Sequence, residues 1–206
     1  RQRQMCIRDR IVSELIKSFQ ERYPLVHYDI HTANADHIRE RLDKGLTDIG
    51  LLLEPVDIDK YEFIRMHIKE KWVVLMRSDD PLAENESVTP KELSKLPVCL
   101  VKRPLVKNEL ASWFGNYFKN LHIVFTSNMS TNAAIMVQNG LTYALVLEGS
   151  LPYLNTKQIC YRPLSPELTA TSVLTWKRHQ PQSLAVAKFI EHIRPVSYTH
   201  LRAHET

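Results

Sequence analysis

Apolar and polar positions follow the same order twice along the chain. In the first stretch Val26, Tyr28 and Ile30 alternate with His27, Asp29 and His31, the period-two pattern of a half-buried strand. A Thr32-Ala33-Asn34 loop follows, then a candidate helix N-cap at Asp36 and a short helix. Gly45-Leu46-Thr47 closes that helix before an apolar strand at residues 49–53. The second stretch is a strand at residues 121–126, a Thr126-Ser127-Asn128 loop, a candidate N-cap at Ser130 and a helix to Asn139. It ends in Gly140-Leu141-Thr142 and a strand at residues 143–147. Threonine and glycine lie 13 positions apart in one stretch and 14 in the other. Strand–helix–strand with short loops is the right-handed βαβ unit of a parallel sheet. Two such units predict two similar α/β lobes, although so short a tripeptide echo also arises by chance.

Between and around these stretches the pattern predicts further elements. Ile11, Val12, Leu15, Ile16 and Phe19 share one face of a helix that Pro24 ends. Strands are expected at residues 61–68 and 72–76, separated by a polar break at Lys69-Glu70-Lys71. Thr89 caps a short helix at residues 90–95 with proline at its first position. A strand at residues 97–101, a Lys102-Arg103-Pro104 turn and a helix at residues 108–118 come next. That helix buries Leu110, Trp113, Phe114 and Tyr117. After a segment at residues 153–156, strands at 159–162 and 170–176 lead to a last helix at 184–193, which finishes at Arg194-Pro195. Strands and helices alternating in this order make an α/β architecture.

The two ends read differently. Residues 1–10 carry no apolar period, and residues 196–206 follow a natural helix stop, so both are read as foreign, adapter-like tails and excluded from the fold. The exclusion changes the meaning of the charge. The chain holds 27 basic and 23 acidic residues, and the first tail supplies +3 of the net +4. The core lacks a basic stripe able to neutralise several phosphates. No apolar run approaches the ~18–20 residues needed to span a bilayer, and the protein is expected to be cytoplasmic. Cys6 lies in the tail, while Cys99 and Cys160 sit in apolar runs, as expected of small buried thiols rather than a disulfide framework.

Candidate chemistry is sparse. His27 and His31 share a strand face but lie about 13 Å apart, too far for one ion, and no HExxH or CxxC is present. GxSxG, P-loop and GxGxxG patterns are also missing, so neither an enzyme nor a cofactor or metal site is expected. What remains is binding. In open α/β sheets ligands sit beyond the carboxyl ends of the strands, and the helix N-termini there attract anionic or strongly polar small molecules.

Four phrases, in order, carry a resemblance: Phe19-Gln20-Glu21-Arg22-Tyr23-Pro24, then Leu42-Asp43-Lys44-Gly45 with Thr47-Asp48-Ile49-Gly50. Arg77-Ser78-Asp79-Asp80-Pro81-Leu82-Ala83 and Val137-Gln138-Asn139-Gly140-Leu141-Thr142-Tyr143-Ala144 complete the set. Spanning Ile11 to about Arg194, they make the chain resemble the effector-binding domain of a LysR-type bacterial transcription regulator. The resemblance implies the periplasmic-binding-protein type II fold: two Rossmann-like α/β lobes joined by crossing hinge strands. Lobe I would comprise residues 11–70 and 169–195, and lobe II residues 71–168. It also implies a fragment, because the family's winged helix-turn-helix is absent and residues 1–10 stand where the family has a first strand and a ligand-contacting loop. Operator DNA would be bound only through that missing domain.

The mechanism implied is binding of a small-molecule effector between the lobes, in a homodimer or homotetramer. Ala33 and Asn34 are the expected contacts from lobe I. Arg103, Ser127, Met129, Ser130, Glu148 and Gly149 are those from lobe II. Arg103 would offer a bidentate grip on a carboxylate; otherwise it is a solvated turn residue. Asn34 is equally a good turn former, and Ser130 a helix N-cap, a role compatible with ligand contact. The alternative function is a stand-alone solute-binding protein of the same fold.

Overall fold

The computed structural model describes residues 7–66, 69–150 and 157–202. The chain divides into two compact units, unit 1 built on Glu70–Ala170 and unit 2 on Arg8–Lys69 with the chain from Thr171 onward.

Unit 1 is a six-stranded sheet with helices, five of whose strands form one continuous path while the sixth, Thr169–Ala170, pairs off it. The five are β3 (Glu70–Arg77), β4 (Pro97–Val101), β5 (His122–Ser127), β6 (Tyr143–Leu147) and β7 (Ile159–Pro163), in the spatial order β5-β4-β6-β3-β7. β4 runs parallel to both β5 and β6, whereas β3 is antiparallel to β6 and β7. The helix α5 (Ser130–Gln138) links β5 to β6, so the second of the two sequence stretches forms a βαβ unit with β4 between its strands. α5 lays Ala133, Ala134 and Val137 on Val73, Leu75, Cys99, Ala144, Val146 and Ile159. Burial pushes the Cys99 thiol above its ordinary pKa. Strand alternation puts Trp72, Val74, Leu145 and Leu147 on the opposite face. The short helix α3 (Pro90–Leu93) begins, as expected, at a Thr89 cap.

Unit 2 holds a three-stranded antiparallel sheet, β1 (Gly50–Leu53), β9 (Ser172–Lys177) and β2 (Tyr61–Arg65), with β9 central. α2 (Ala35–Asp43) packs Ile38 and Leu42 against Leu52, Tyr61 and Val173. α1 (Ile7–Arg22) and α6 (Leu184–Arg202) meet through Phe19 and Phe189, whose ring centroids lie 5.0 Å apart, edge to face. Ser18 Oγ and His192 Nε2 are 2.7 Å apart beside them.

Several expectations fail. Residues 26–32 form no strand, so the first stretch is not a βαβ unit and the described sheet of unit 2 contains no parallel pair. Alternation supplies an apolar face, but a strand also needs a ladder, and these residues have none. Ile30, expected inward, is 69% exposed. α1 starts at Ile7 rather than Ile11, and α6 runs through Pro195 to Arg202 instead of stopping there. The boundaries assigned to the two tails therefore cut helices; residues 1–6 and 203–206 lie outside the described residues. Glu70 and Lys71 of the supposed polar break belong to β3, which begins at Glu70, a residue only 2% exposed. The helix expected at 108–118 is α4 (Pro104–Phe114), which buries Val106, Leu110 and Phe114 and ends at Gly115. Tyr117 falls in the following 3-10 turn and is 41% exposed. The strand expected at 170–176 is broken at Thr171 into β8 (Thr169–Ala170), which pairs with β3, and β9. Residues 67–68 and 153–156 lie outside the described residues.

Candidate effector site

Three parallel strands of unit 1 end at one edge. Val101 stands opposite Ser127, and the Lys102 N–H donates to the Ser127 carbonyl at 3.0 Å. Cys99 stands opposite Ala144, a register that brings Leu147 to the same edge. The chain leaves β4 into α4, β5 into α5, and β6 into a 3-10 turn, Glu148–Ser150. Arg103, Ser127, Met129, Ser130, Glu148 and Gly149 thus gather at the carboxyl end of this sheet, where open α/β sheets take their ligands.

Both helices open without a side-chain cap. Arg103 is the N-cap of α4, with extended backbone, and Pro104 fills the first turn. Met129, not Ser130, is the N-cap of α5; Ser130 is the first helical residue. Neither Arg103 nor Met129 offers its side chain as an acceptor to the first-turn N–H groups. Two helix N-termini without side-chain acceptors, one of them opening at an arginine, favour negative charge. Ser127 is partly committed: its hydroxyl donates to the Met129 carbonyl at 2.8 Å and accepts the Met129 N–H at 3.2 Å. Glu148 brings the opposite charge and accepts a hydrogen bond from the Tyr161 hydroxyl at 3.2 Å.

In unit 2, Asn34 is the N-cap of α2 in place of the expected Asp36. Its Oδ1 accepts the His37 N–H at 3.0 Å. Ala33 packs against the apolar cluster of Ile38, Leu42, Leu52, Tyr61 and Val173, which leaves mainly its backbone for a ligand.

Trp72 and Tyr161 escaped the sequence reading. Trp72 stands opposite Leu147 at the same edge, is 2% exposed, and its indole N–H has no hydrogen-bond partner among the described residues. The charged run before it concealed the start of β3. A cavity of about 380 Å³ lies elsewhere, where β3 ends and β7 begins, lined by Ser78, Asp79, Asp80, Glu84, Cys160 and Arg162 among others. None of the expected contacts lines it, and most of its charges are committed. Asp79 pairs with Arg77, Asp80 caps Leu82 and accepts the Tyr143 hydroxyl, and Arg162 donates to the carbonyls of Ala83, Asn85 and Tyr161. Among the described residues no group of three His, Cys, Asp or Glu side chains is arranged to hold a metal ion, and no helix is long and apolar enough to cross a membrane.

The family model of the LysR substrate binding domain matches residues 5–197. The Bacillus subtilis HTH-type transcriptional regulator YvbU is 27% identical over 179 residues, 86% of this chain and 60% of that protein. The Hca operon transcriptional activator HcaR of Escherichia coli is 23% identical over 82% of this chain and 57% of its own length. The chain thus spans about three-fifths of these relatives. Among solved structures, the effector binding domain of a BenM variant superposes with a TM-score of 0.72 at 16% identity, covering 92% of this chain and 89% of that one. The reduced OxyR regulatory domain of Pseudomonas aeruginosa gives 0.66 at 17% identity, covering 92% and 93%. At such identities the likeness speaks for the fold.

Proposed function

The chain belongs to the LysR substrate-binding domain family, and from that premise we propose that it is the effector-sensing domain of a DNA-binding transcriptional regulator. Its relatives are regulators and not enzymes. The effector we infer is a small organic acid. Its carboxylate is held by Arg103 and the N-termini of α4 and α5, and Ser127, Met129, Ser130, Glu148 and Gly149 line the remainder. Ala33 and Asn34 are proposed as further contacts, and the two units as the two regulatory lobes. In the intact cytoplasmic regulator an N-terminal helix-turn-helix reads DNA, and the domain works as a homodimer or homotetramer. Effector binding favours one of two arrangements of the domain and shifts the population toward it by its difference in affinity.

The observation that carries this reading is the convergence of two helix openings without side-chain caps, together with Arg103, at the carboxyl end of one parallel sheet. The test is a thermal-shift panel of small carboxylates, aromatic acids and amino acids. A ligand at 100 times its Kd stabilises by about 2.7 kcal/mol. A panel in which every compound leaves the melting temperature unmoved sinks the assignment.

A further inference from the structure

Two of the chain's passages between its units lie at Lys69–Glu70 and at Ala170–Thr171. On the unit 2 side, one carboxylate holds both passages. Glu54 follows the last residue of β1, and its N–H donates to the Thr171 carbonyl at 2.8 Å. The Thr171 hydroxyl returns a bond of 2.5 Å to Glu54 Oε2. Arg65, the last residue of β2, donates through Nε to both carboxylate oxygens at 3.0 and 3.2 Å, and its Nη2 lies 2.9 Å from Oε1. The next amide, Met66 N–H, donates to the Ser172 carbonyl at 2.9 Å. Glu54 therefore ties Arg65, four residues before the first passage begins at Lys69, to Thr171, where the second ends. Its side chain is 20% exposed and that of Arg65 55%, so water screens the pair only in part.

The same two segments pair again on the unit 1 side. Glu70 stands opposite Ala170 and Lys71 opposite Thr169, the Trp72 N–H donates to the Leu168 carbonyl at 2.8 Å, and Lys71 Nζ meets Glu167 at 2.5 Å. Backbone bonds alone would register two such strands. A carboxylate that accepts from both side chains adds a directional restraint just beyond this two-residue ladder.

We propose that Glu54 is a positioning residue that sets how freely the two passages flex, and through them how readily the effector response is transmitted; its link to the effector rests on the sensor reading above. Hydrogen exchange of the intact chain tests it with no effector present. In Glu54→Gln, and independently in Thr171→Val should the first variant fold poorly, exchange at the Met66 amide and at residues 70–72 and 169–171 rises by about tenfold, since a charge-assisted bond is lost. The interior of β9, at Val173 and Leu174, keeps wild-type protection. Uniform loosening of unit 2 would reduce Glu54 to an ordinary structural residue and overturn the proposal, and so would unchanged exchange at both passages. Because no ligand enters the measurement, a local rise in a chain that binds no carboxylate keeps this inference while removing the sensor reading.

Discussion

Ser127 stands opposite Val101 across the parallel pair β4–β5, and its carbonyl accepts the Lys102 N–H at 3.0 Å. That bond levels the two chain exits, so α4 and α5 open side by side with Arg103 at one of them. Arg103→Gln removes the charge while keeping a polar side chain. A hydrogen bond to a charged group contributes about 1.5–3 kcal/mol, so the variant weakens the strongest carboxylate of a thermal-shift panel by roughly tenfold to a hundredfold. Calorimetric titration of both proteins measures this. Equal affinity of the variant removes Arg103 from the site.

The cap of α3 is a closed pair of residues. Glu92 Oε2 accepts the Thr89 N–H at 2.8 Å and the Thr89 hydroxyl at 2.6 Å, and the Glu92 N–H points back to Thr89 Oγ1 at 3.3 Å. These bonds hold the Glu92 carboxyl below its ordinary pKa. Thr89→Ala loses the capping box and about 1 kcal/mol, seen as a lower urea midpoint with an unchanged slope. A midpoint equal to the wild type would show that the box adds nothing to the proline start.

The cap was legible in part because its signals are local: a threonine with a proline just after it announces the helix start, whereas Glu92, the other half of the box, was not singled out. The second strand–helix–strand stretch was legible for a related reason, since its strands find β4 between them and its helix face matches Val73, Leu75 and Val146. The first stretch has the same local signals and a different outcome, because whether residues 26–32 join a sheet depends on neighbours no local pattern reports. Pro195 is another such case. A proline inside a predicted helix reads as a stop, yet α6 continues seven residues past it. At the site, the openings of both helices were foreseen to within a few residues. The buried Glu70 and Trp72 were not, since a Lys-Glu-Lys run gives no sign that its central carboxylate faces inward.

Glu54 gives unit 2 an acid-sensitive joint. Partial burial raises its carboxyl, but the hydrogen bonds from Arg65 and Thr171, with the Arg65 charge, outweigh burial and leave the pKa below its ordinary value. A carboxylate depressed on folding stabilises the fold above its unfolded pKa, and that contribution is lost as pH falls through the folded value. Urea stability measured from pH 7 down to pH 3 therefore declines at the acid end, and Glu54→Gln flattens part of that decline. Superimposable pH profiles for the two proteins would rule out Glu54 as a source of the acid sensitivity.

Gly50 allows α2 to approach β1. A Cβ there would lie 2.9 Å from Ile38 Cγ2 and 3.0 Å from Leu42 Cδ1, both on buried side chains. Neither neighbour is the free end of a flexible surface chain, so Gly50→Ala overpacks the contact and destabilises by about 1–3 kcal/mol. Chemical denaturation measures the loss. A neutral or stabilising result would mean that α2 shifts outward at little cost.

Residues 27–32 provide the sharpest check on the fold of unit 2, because sequence pattern and structure disagree there. The pattern is that of a strand, whereas the structure gives these residues no ladder among the described elements and leaves Ile30 69% exposed. Amides outside a hydrogen-bonded ladder open without global unfolding, so they exchange near the unprotected rate. In β9, paired on both sides by β1 and β2, protection should approach that of global unfolding. Amide exchange resolved by residue separates the two cases within one experiment. Protection at Tyr28 and Ile30 comparable to that at Val173 and Leu174 would mean that this segment pairs in solution, restoring the strand–helix–strand unit that its alternation announces.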